Sequence, residues 1–235
     1  MADDGSESSA PQKRSEAAGF GVVPVFPLPD HVVFPGVPTP YRLFEPRYCE
    51  LATVLLEKPA TQRRLAIPRL AKGWRDDYEA APRFELVATV GRAAHLSALA
   101  NGQFQMVFVG EDRVLLDEVE SPYSFRLAYC RDFSDVDSMR ETEPSFDALV
   151  QAVSALAQVL GEPANVLWAL LKDRDDPRRM VFMLASALVQ DASARQRFLA
   201  SRRQSERIDM LLEQVAGLID LTRDSDEWHG RMPQG

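Results

Sequence analysis

The sequence is short of several things that would place it in a familiar class. Cysteine is scarce: Cys49 and Cys130 are the 2 present, far apart in the chain and outside any CxxC pair. A disulfide framework is therefore disfavoured, and a reducing cytoplasm is the expected setting. Positive charge is in deficit, with 27 Lys+Arg against 35 Asp+Glu and a net charge of -8. Proteins that track phosphates rely on basic patches, so binding to nucleic acid or to an anionic membrane is disfavoured. Long apolar runs are missing too. The best, 22–28 and 181–189, fall well short of the ~20 residues of a membrane span, and the first is broken by Pro24 and Pro27. The opening MADDGSESSAPQKRSEAAG has neither the apolar stretch of a secretory signal nor the Arg-rich character of a transit peptide. Histidine is limited to His31, His95 and His229, without metal-ligand spacing. No GxxxxGK[ST] loop, GxSxG elbow or HExxH pair occurs. No catalytic, cofactor-binding or metal-ligating set is expected.

What is present is an ordinary globular composition, 46% hydrophobic and 26% charged over 235 residues. That length allows one large domain or two small ones with a sizeable core. Residues 1–21 are polar and are expected to form a disordered tail. Residues 22–132 have β texture, with strand candidates at 22–28, 64–70, 84–96, 103–120 and 125–130. Phe104, Met106 and Phe108 alternate with more polar neighbours across from an Asn101-Gly102 turn. The stretch 30–40 carries Pro35, Gly36, Pro38 and Pro40 and reads as turn and extended chain. Residues 46–57 read as a helix opened by Pro46. Residues 71–82, polar and containing Gly73, read as a loop.

From about residue 142 the period changes to 3.6. Phe146, Leu149, Val150, Val153 and Leu156 share one helical face, which Gly161 closes. Pro163 opens a second helix, and Asp176 with Pro177 caps a third. Ile208, Leu211, Val215 and Leu218 mark a last one. Strands followed by helices give an α+β class, with a β-rich sub-domain over 22–132, a helical bundle over 142–222 and a flexible tail over 223–235.

Few residues stand out as functional. The pairs Asp76-Asp77, Glu111-Asp112 and Asp175-Asp176 read as loops, turns or caps, and Gly91, Gly102 and Gly110 as strand ends and a turn. Arg195, Arg197, Arg202, Arg203 and Arg207 form the strongest basic feature, either a solvated helical face or a surface for an acidic partner. Trp74 and Tyr78 lie in a polar loop, where they either fold back onto the β unit or face a partner. The partner-binding candidates are Trp74, Tyr78, Arg202 and Arg203.

One stretch is more specific. Residues 23–51, VPVFPLPDHVVFPGVPTPYRLFEPRYCEL, resemble the opening of the Lon protease N-terminal domain family: an apolar strand, PL, an apolar-F-P-G turn, and F-E-P-R-Y at the start of a helix. Residues 87–119 resemble its strand, NG turn and strand with a following G-E-x-R; 121–123 (SPY) resemble its next P-Y; and 198–208 (FLASRRQSERI) resemble the entry to its last helix. Ala88 and Ala200 depart from the family's usual Gly and Glu. The resemblance implies a PUA-like β-barrel-type sub-domain followed by a helical bundle. It implies a non-catalytic substrate-recognition module for unfolded or tagged polypeptides, or for a specific protein partner. The occupant would be taken by pocket filling and edge-strand pairing. Within the motif, Phe34, Phe44 and Tyr48 are expected in the core, and Glu45 and Arg47 are expected to serve the fold and not a ligand. No ATPase or serine-lysine peptidase motif follows, so a cytoplasmic, stand-alone, non-enzymatic protein without cofactors is expected. The alternative is RNA binding through the PUA-like half, which the net charge opposes.

Overall fold

A computed structural model describes residues 19–80, 82–161, 164–172 and 176–230. Residues 1–18 of the expected N-terminal tail and residues 231–235 lie outside the described residues. β-branched and aromatic residues build six strands among them: β1 (Val22–Val25), β2 (Pro38–Leu43), β3 (Arg64–Ile67), β4 (Val87–Ala98), β5 (Phe104–Val119) and β6 (Arg126–Asp132). A helix, α1 (Pro46–Leu56), separates β2 from β3. Five more follow the strands: α2 (Met139–Leu160), α3 (Asn165–Lys172), α4 (Pro177–Leu188), α5 (Ala192–Ala200) and α6 (Gln204–Gly230). The last continues past residue 222, where the helical unit was expected to end.

The strand order is β2-β5-β4-β3-β1-β6, and β6 also pairs with β5. Five strands thus close into a barrel, and β2 hangs on its outside. The length of β5 makes this possible. Its first half pairs with β2, from Leu43↔Phe104 to Pro38↔Val109, and its second half with β6, from Val114↔Asp132 to Val119↔Leu127. Only β1 and β3 run parallel. Closure leaves β2 as the exposed edge.

Several local expectations are corrected. Within the expected turn and extended chain of 30–40, Pro38 and Pro40 belong to the extended part and are paired as strand β2, which was not among the strand candidates. Proline is tolerated on an edge strand, where its missing N–H faces away from the neighbour. Part of the expected loop 71–82 is a 3-10 helix, Trp74–Ala80. α5, weakly amphipathic and Arg-rich, was not foreseen; Asp191 caps it by accepting from the Ala194 N–H at 2.7 Å. Gly91 and Gly110 are not strand ends but face each other inside β4 and β5. A Cβ on Gly110 would come within 2.8 Å of the Phe34 carbonyl, so the glycine lets the Phe34-Pro35-Gly36 loop cross β5. There the Gly36 N–H donates to the Gly110 carbonyl at 3.0 Å. Glu111 and Asp112 lie in β5, not in a turn, and Glu111 accepts from Arg64 at 3.3 Å.

That crossing delivers Phe34 into the helices. Its ring packs on Phe182 (centroids 6.0 Å) and edge-on to Phe198 (5.5 Å), in one buried cluster with Val153, Leu184 and Leu211. Inside the barrel, Leu51 and Leu55 of α1 pack with Leu43, Leu65 and Phe108, which plugs one side of the strands with a helix.

A buried ionic node ties the two layers together. Arg113 of β5 and Arg207 of α6 have fully buried side chains, and both contact Asp135 in the β6–α2 connection. Arg207 grips it through two bonds of 2.8 Å each. Burial, then the neighbouring Arg207 charge, lowers the Arg113 guanidinium to about 10. The Arg cluster is therefore corrected in part: Arg207 is core, and Arg195 donates to the Val189 (2.7 Å) and Ser186 (2.6 Å) carbonyls.

Two outcomes follow. Asp135→Ala strands two buried guanidiniums and is expected to cost about 3–5 kcal/mol, read as a lowered urea midpoint. His31, between β1 and β2, is bonded to the Tyr41 hydroxyl at 2.9 Å. Burial, then the Arg195 charge, holds its imidazole below the ordinary value of 6.5. The unfolded chain then binds the proton more tightly than the native one. The neutral imidazole's contribution is complete above about pH 6.5 and is lost as pH falls through the lower native value. Wild type should lose more stability than His31→Gln between about pH 7.5 and about pH 5.

Candidate functional site

Three chain segments meet beside the N-terminus of α1. Pro46 occupies the first turn, where its missing N–H costs nothing. Glu45 sits at the N-cap, yet its side chain makes no capping bond. Its carboxylate instead holds Arg47 at 2.7 Å and accepts from the Tyr78 hydroxyl at 2.7 Å. The Arg47 guanidinium lies over the rings of Tyr48 (4.8 Å) and Tyr78 (5.2 Å), a cation–π arrangement. Burial, helped by the bond to Glu45, pushes the Tyr78 hydroxyl up. Burial does the same to Tyr48, so both are neutral donors at physiological pH.

The third segment is the connection into β6. The Tyr123 ring stacks on Phe125, with centroids 4.7 Å apart and planes 6° from parallel. The Ser124 N–H donates to Glu50 of α1 at 2.9 Å, and its hydroxyl reaches the same carboxylate oxygen. These bonds hold the Glu50 carboxyl below its usual range and pin the segment to α1. Arg126 donates to the Pro82 carbonyl at 2.6 Å and lies 4.3 Å above the Phe84 ring.

Arg47, Tyr48, Tyr78, Phe125 and Arg126 thereby line a cleft of about 50 Å³. It is deep enough for the tip of one side chain and is walled by aromatic rings and two guanidinium stems. Phe44 and Tyr123 directly precede Glu45 and Ser124 in the chain, and are 63% and 42% exposed. Phe44 is corrected from the expected core. Leu43 ends β2 pointing inward, and its neighbour takes the opposite side. That alternation was the available signal for Phe44. The P-Y pair was the available signal for Tyr123.

The four residues singled out from sequence fall in two places. Trp74 and Tyr78 share the 3-10 helix, with ring centroids 5.6 Å apart, and pack half-buried against the barrel cluster of Leu70 and Phe84. Arg202 and Arg203 lie at the α5–α6 junction. Arg202 donates to the Ser134 carbonyl at 3.0 Å and covers the Phe133 ring, while Arg203 is exposed, 3.8 Å from Glu206. Among the described residues no group of three or more His, Cys, Asp or Glu is arranged to hold a metal ion. No described helix is long and apolar enough to cross a membrane.

Among solved structures, the fold resembles the N-terminal domain of a Mycobacterium avium complex Lon protease. The TM-score is 0.65 at 15% identity, over 83% of this chain and 98% of that one. It also resembles a Lon N-terminal domain protein from Xanthomonas campestris, with a TM-score of 0.54 at 20% identity, over 82% of this chain and 97% of that one. At such identities the likeness shows a shared fold. No curated protein matches the chain. The family of the ATP-dependent protease La (LON) substrate-binding domain matches over residues 22–217, from β1 into α6. Barrel and helical layer are both within that span, and the chain belongs to the LON substrate-binding domain family.

Proposed function

We propose that this chain is a non-catalytic, cytoplasmic binding module that takes extended segments of unfolded or tagged polypeptide at the cleft beside α1. The observation that carries this reading is the exposure of Phe44 and Tyr123, the first lying two residues ahead of Pro46 at the start of α1 and the second stacked on Phe125 of the cleft wall. Solvent-exposed aromatics on a rigid frame bind with little further loss of side-chain freedom. Glu45 and Glu50 supply the frame by holding Tyr78 and Ser124. Tyr78 forms part of the cleft wall, with Trp74 edge-on to it; Arg202 and Arg203 enter only as a secondary charged contact at the other junction.

Side-chain capture, and not strand addition, is the mode that suits this surface. The free edge is β2, and two of its six residues are prolines without an N–H. A strand added there would find few donors. Both cysteines are free thiols, in keeping with a reducing compartment.

The test is a fluorescence anisotropy titration of a labelled, permanently unfolded polypeptide of near-zero net charge, at physiological salt and without ATP. Saturable binding in the micromolar range is expected. Phe44→Ser with Tyr123→Ser should weaken it about tenfold or more, with little change in the urea midpoint, because both side chains are exposed. Absent binding, or binding indifferent to the double variant, would overturn the reading. Binding to an RNA oligonucleotide that weakens steeply with salt would favour the nucleic-acid alternative.

A further inference from the structure

A wider groove, of about 850 Å³, opens where the barrel wall meets α5. It shares no lining residue with the cleft beside α1. Three features of its lining are unusual together.

The first is an acceptor without a donor. Gln196 of α5 is only 8% exposed. Its amide nitrogen donates to the Val87 carbonyl at 3.0 Å, which fixes which way the amide points. The amide oxygen is then left buried with no hydrogen-bond partner. Buried acceptors are nearly always satisfied, and this one, matched by no donor among the described residues, is open to a donor from water or from an occupant of the groove.

The second is charge. Arg69, Lys72 and Arg197 line the groove against a single carboxylate, Glu85, in a chain whose net charge is -8. Lys72 and Arg197 have no ion-pair partner among the described residues. The Nε of Arg69 is buried and unpaired, while the rest of its guanidinium reaches Asp30 and Ser193. The third feature is apolar. Leu86 is 55% exposed, and Leu115, opposite Val87 in the β4–β5 ladder, lines the same wall.

We propose that this groove takes an acidic–apolar stretch of polypeptide. A backbone N–H of the occupant donates to the Gln196 amide oxygen, its carboxylates pair with Arg197 and Lys72, and an apolar side chain lies on Leu86 and Leu115. A nucleic-acid backbone fits less well, because phosphates offer no donor to Gln196 and no apolar side chain to Leu86 and Leu115. The proposal rests on the polypeptide-binding reading above and adds to it a second contact with its own sequence preference.

The experiment uses a fluorescein-labelled 12-residue peptide that interleaves Leu and Val with Asp and Glu, and a twin in which each acid is replaced by its amide. The acidic peptide should bind at least tenfold more tightly than the twin, with affinity falling as salt rises. Arg197→Glu with Lys72→Glu should reduce its binding at least tenfold. The same pair should leave the titration of the near-neutral unfolded polypeptide unchanged. Leu86→Asp should also weaken the acidic peptide. All three side chains are exposed, so an unchanged urea midpoint confirms that the fold is kept. Equal binding of the two peptides, or indifference to the charge reversal, overturns the groove while the α1-cleft reading stands. Displacement of the acidic peptide by an RNA oligonucleotide overturns it in favour of phosphates. Failure of both the peptide and the near-neutral polypeptide to bind overturns both readings.

Discussion

The clamp of Arg113 and Arg207 on Asp135 is the constraint on which the relative placement of barrel and helices depends. The two guanidiniums come from β5 and α6, and the carboxylate comes from the segment that joins β6 to α2. Arg178 of α4 adds a third contact to the same carboxylate at 3.2 Å. Removing so much charge from water is costly, and the cost is met here by more than the ion pairs. Arg113 also donates to the Leu199 carbonyl at 2.7 Å and to the Ser201 carbonyl, at the C-terminal end of α5, where helices leave carbonyls without internal partners. The Phe182 ring lies 5.1 Å from the Arg207 guanidinium. An apolar core of the same volume could be as stable. What the polar node adds is geometry, because bidentate pairing and carbonyl contacts admit one arrangement where greasy surfaces admit several.

The same connection fastens α6. Asp137 accepts from the Gln204 N–H at 2.7 Å and the Ser205 N–H at 2.9 Å, so a residue distant in sequence supplies the N-terminal cap. The Val136 N–H donates to the Arg202 carbonyl at 2.8 Å. Arg202 and Arg203 thus sit where the chain is stitched together. Phe34 performs the reciprocal task from the other side, carrying the β1–β2 loop into the helical core through the gap left by Gly110. The two layers are therefore coupled by one polar and one aromatic joint.

What could be read in the sequence was whatever depends on near neighbours. The 3.6 periodicity located α2 and α4, and Asp176 caps α4 as its position ahead of Pro177 predicts. The FEPRY stretch marked the start of α1 and carried the family resemblance. What could not be read depends on partners far along the chain. An arginine in a polar run reads as solvated until Asp135 is found opposite it, so Arg207 was misplaced. Gly91 and Gly110 read as strand ends because only their pairing across two strands shows why no side chain fits. Phe44 read as core because an apolar residue in a motif invites that assignment. The groove along α5 was hidden for the same reason: Gln196, Arg69 and Leu86 come from three separate segments, and α5 itself lacks a strong apolar stripe.

Glu45 and Phe44 repay a joint reading. A glutamate at the N-cap would ordinarily be a poor choice against Ser, Asp or Asn, and here it does not cap at all. A large apolar side chain is more often buried, and here strand alternation leaves the Phe44 ring exposed. Natural sequences tend to break local rules of this kind at sites whose demands lie outside folding. Pro46 makes the first breach inexpensive, because it removes one of the N–H groups that a cap would have to satisfy. The carboxylate released from capping becomes the post to which Arg47 and Tyr78 are tied. A motif that served the fold alone would gain by exchanging Glu45 for a capping residue and Phe44 for a polar one. Instead both anomalies fall side by side in the chain at the start of α1, where Glu45 ties down Arg47 and Tyr78 of the cleft wall, which supports placing the binding surface there.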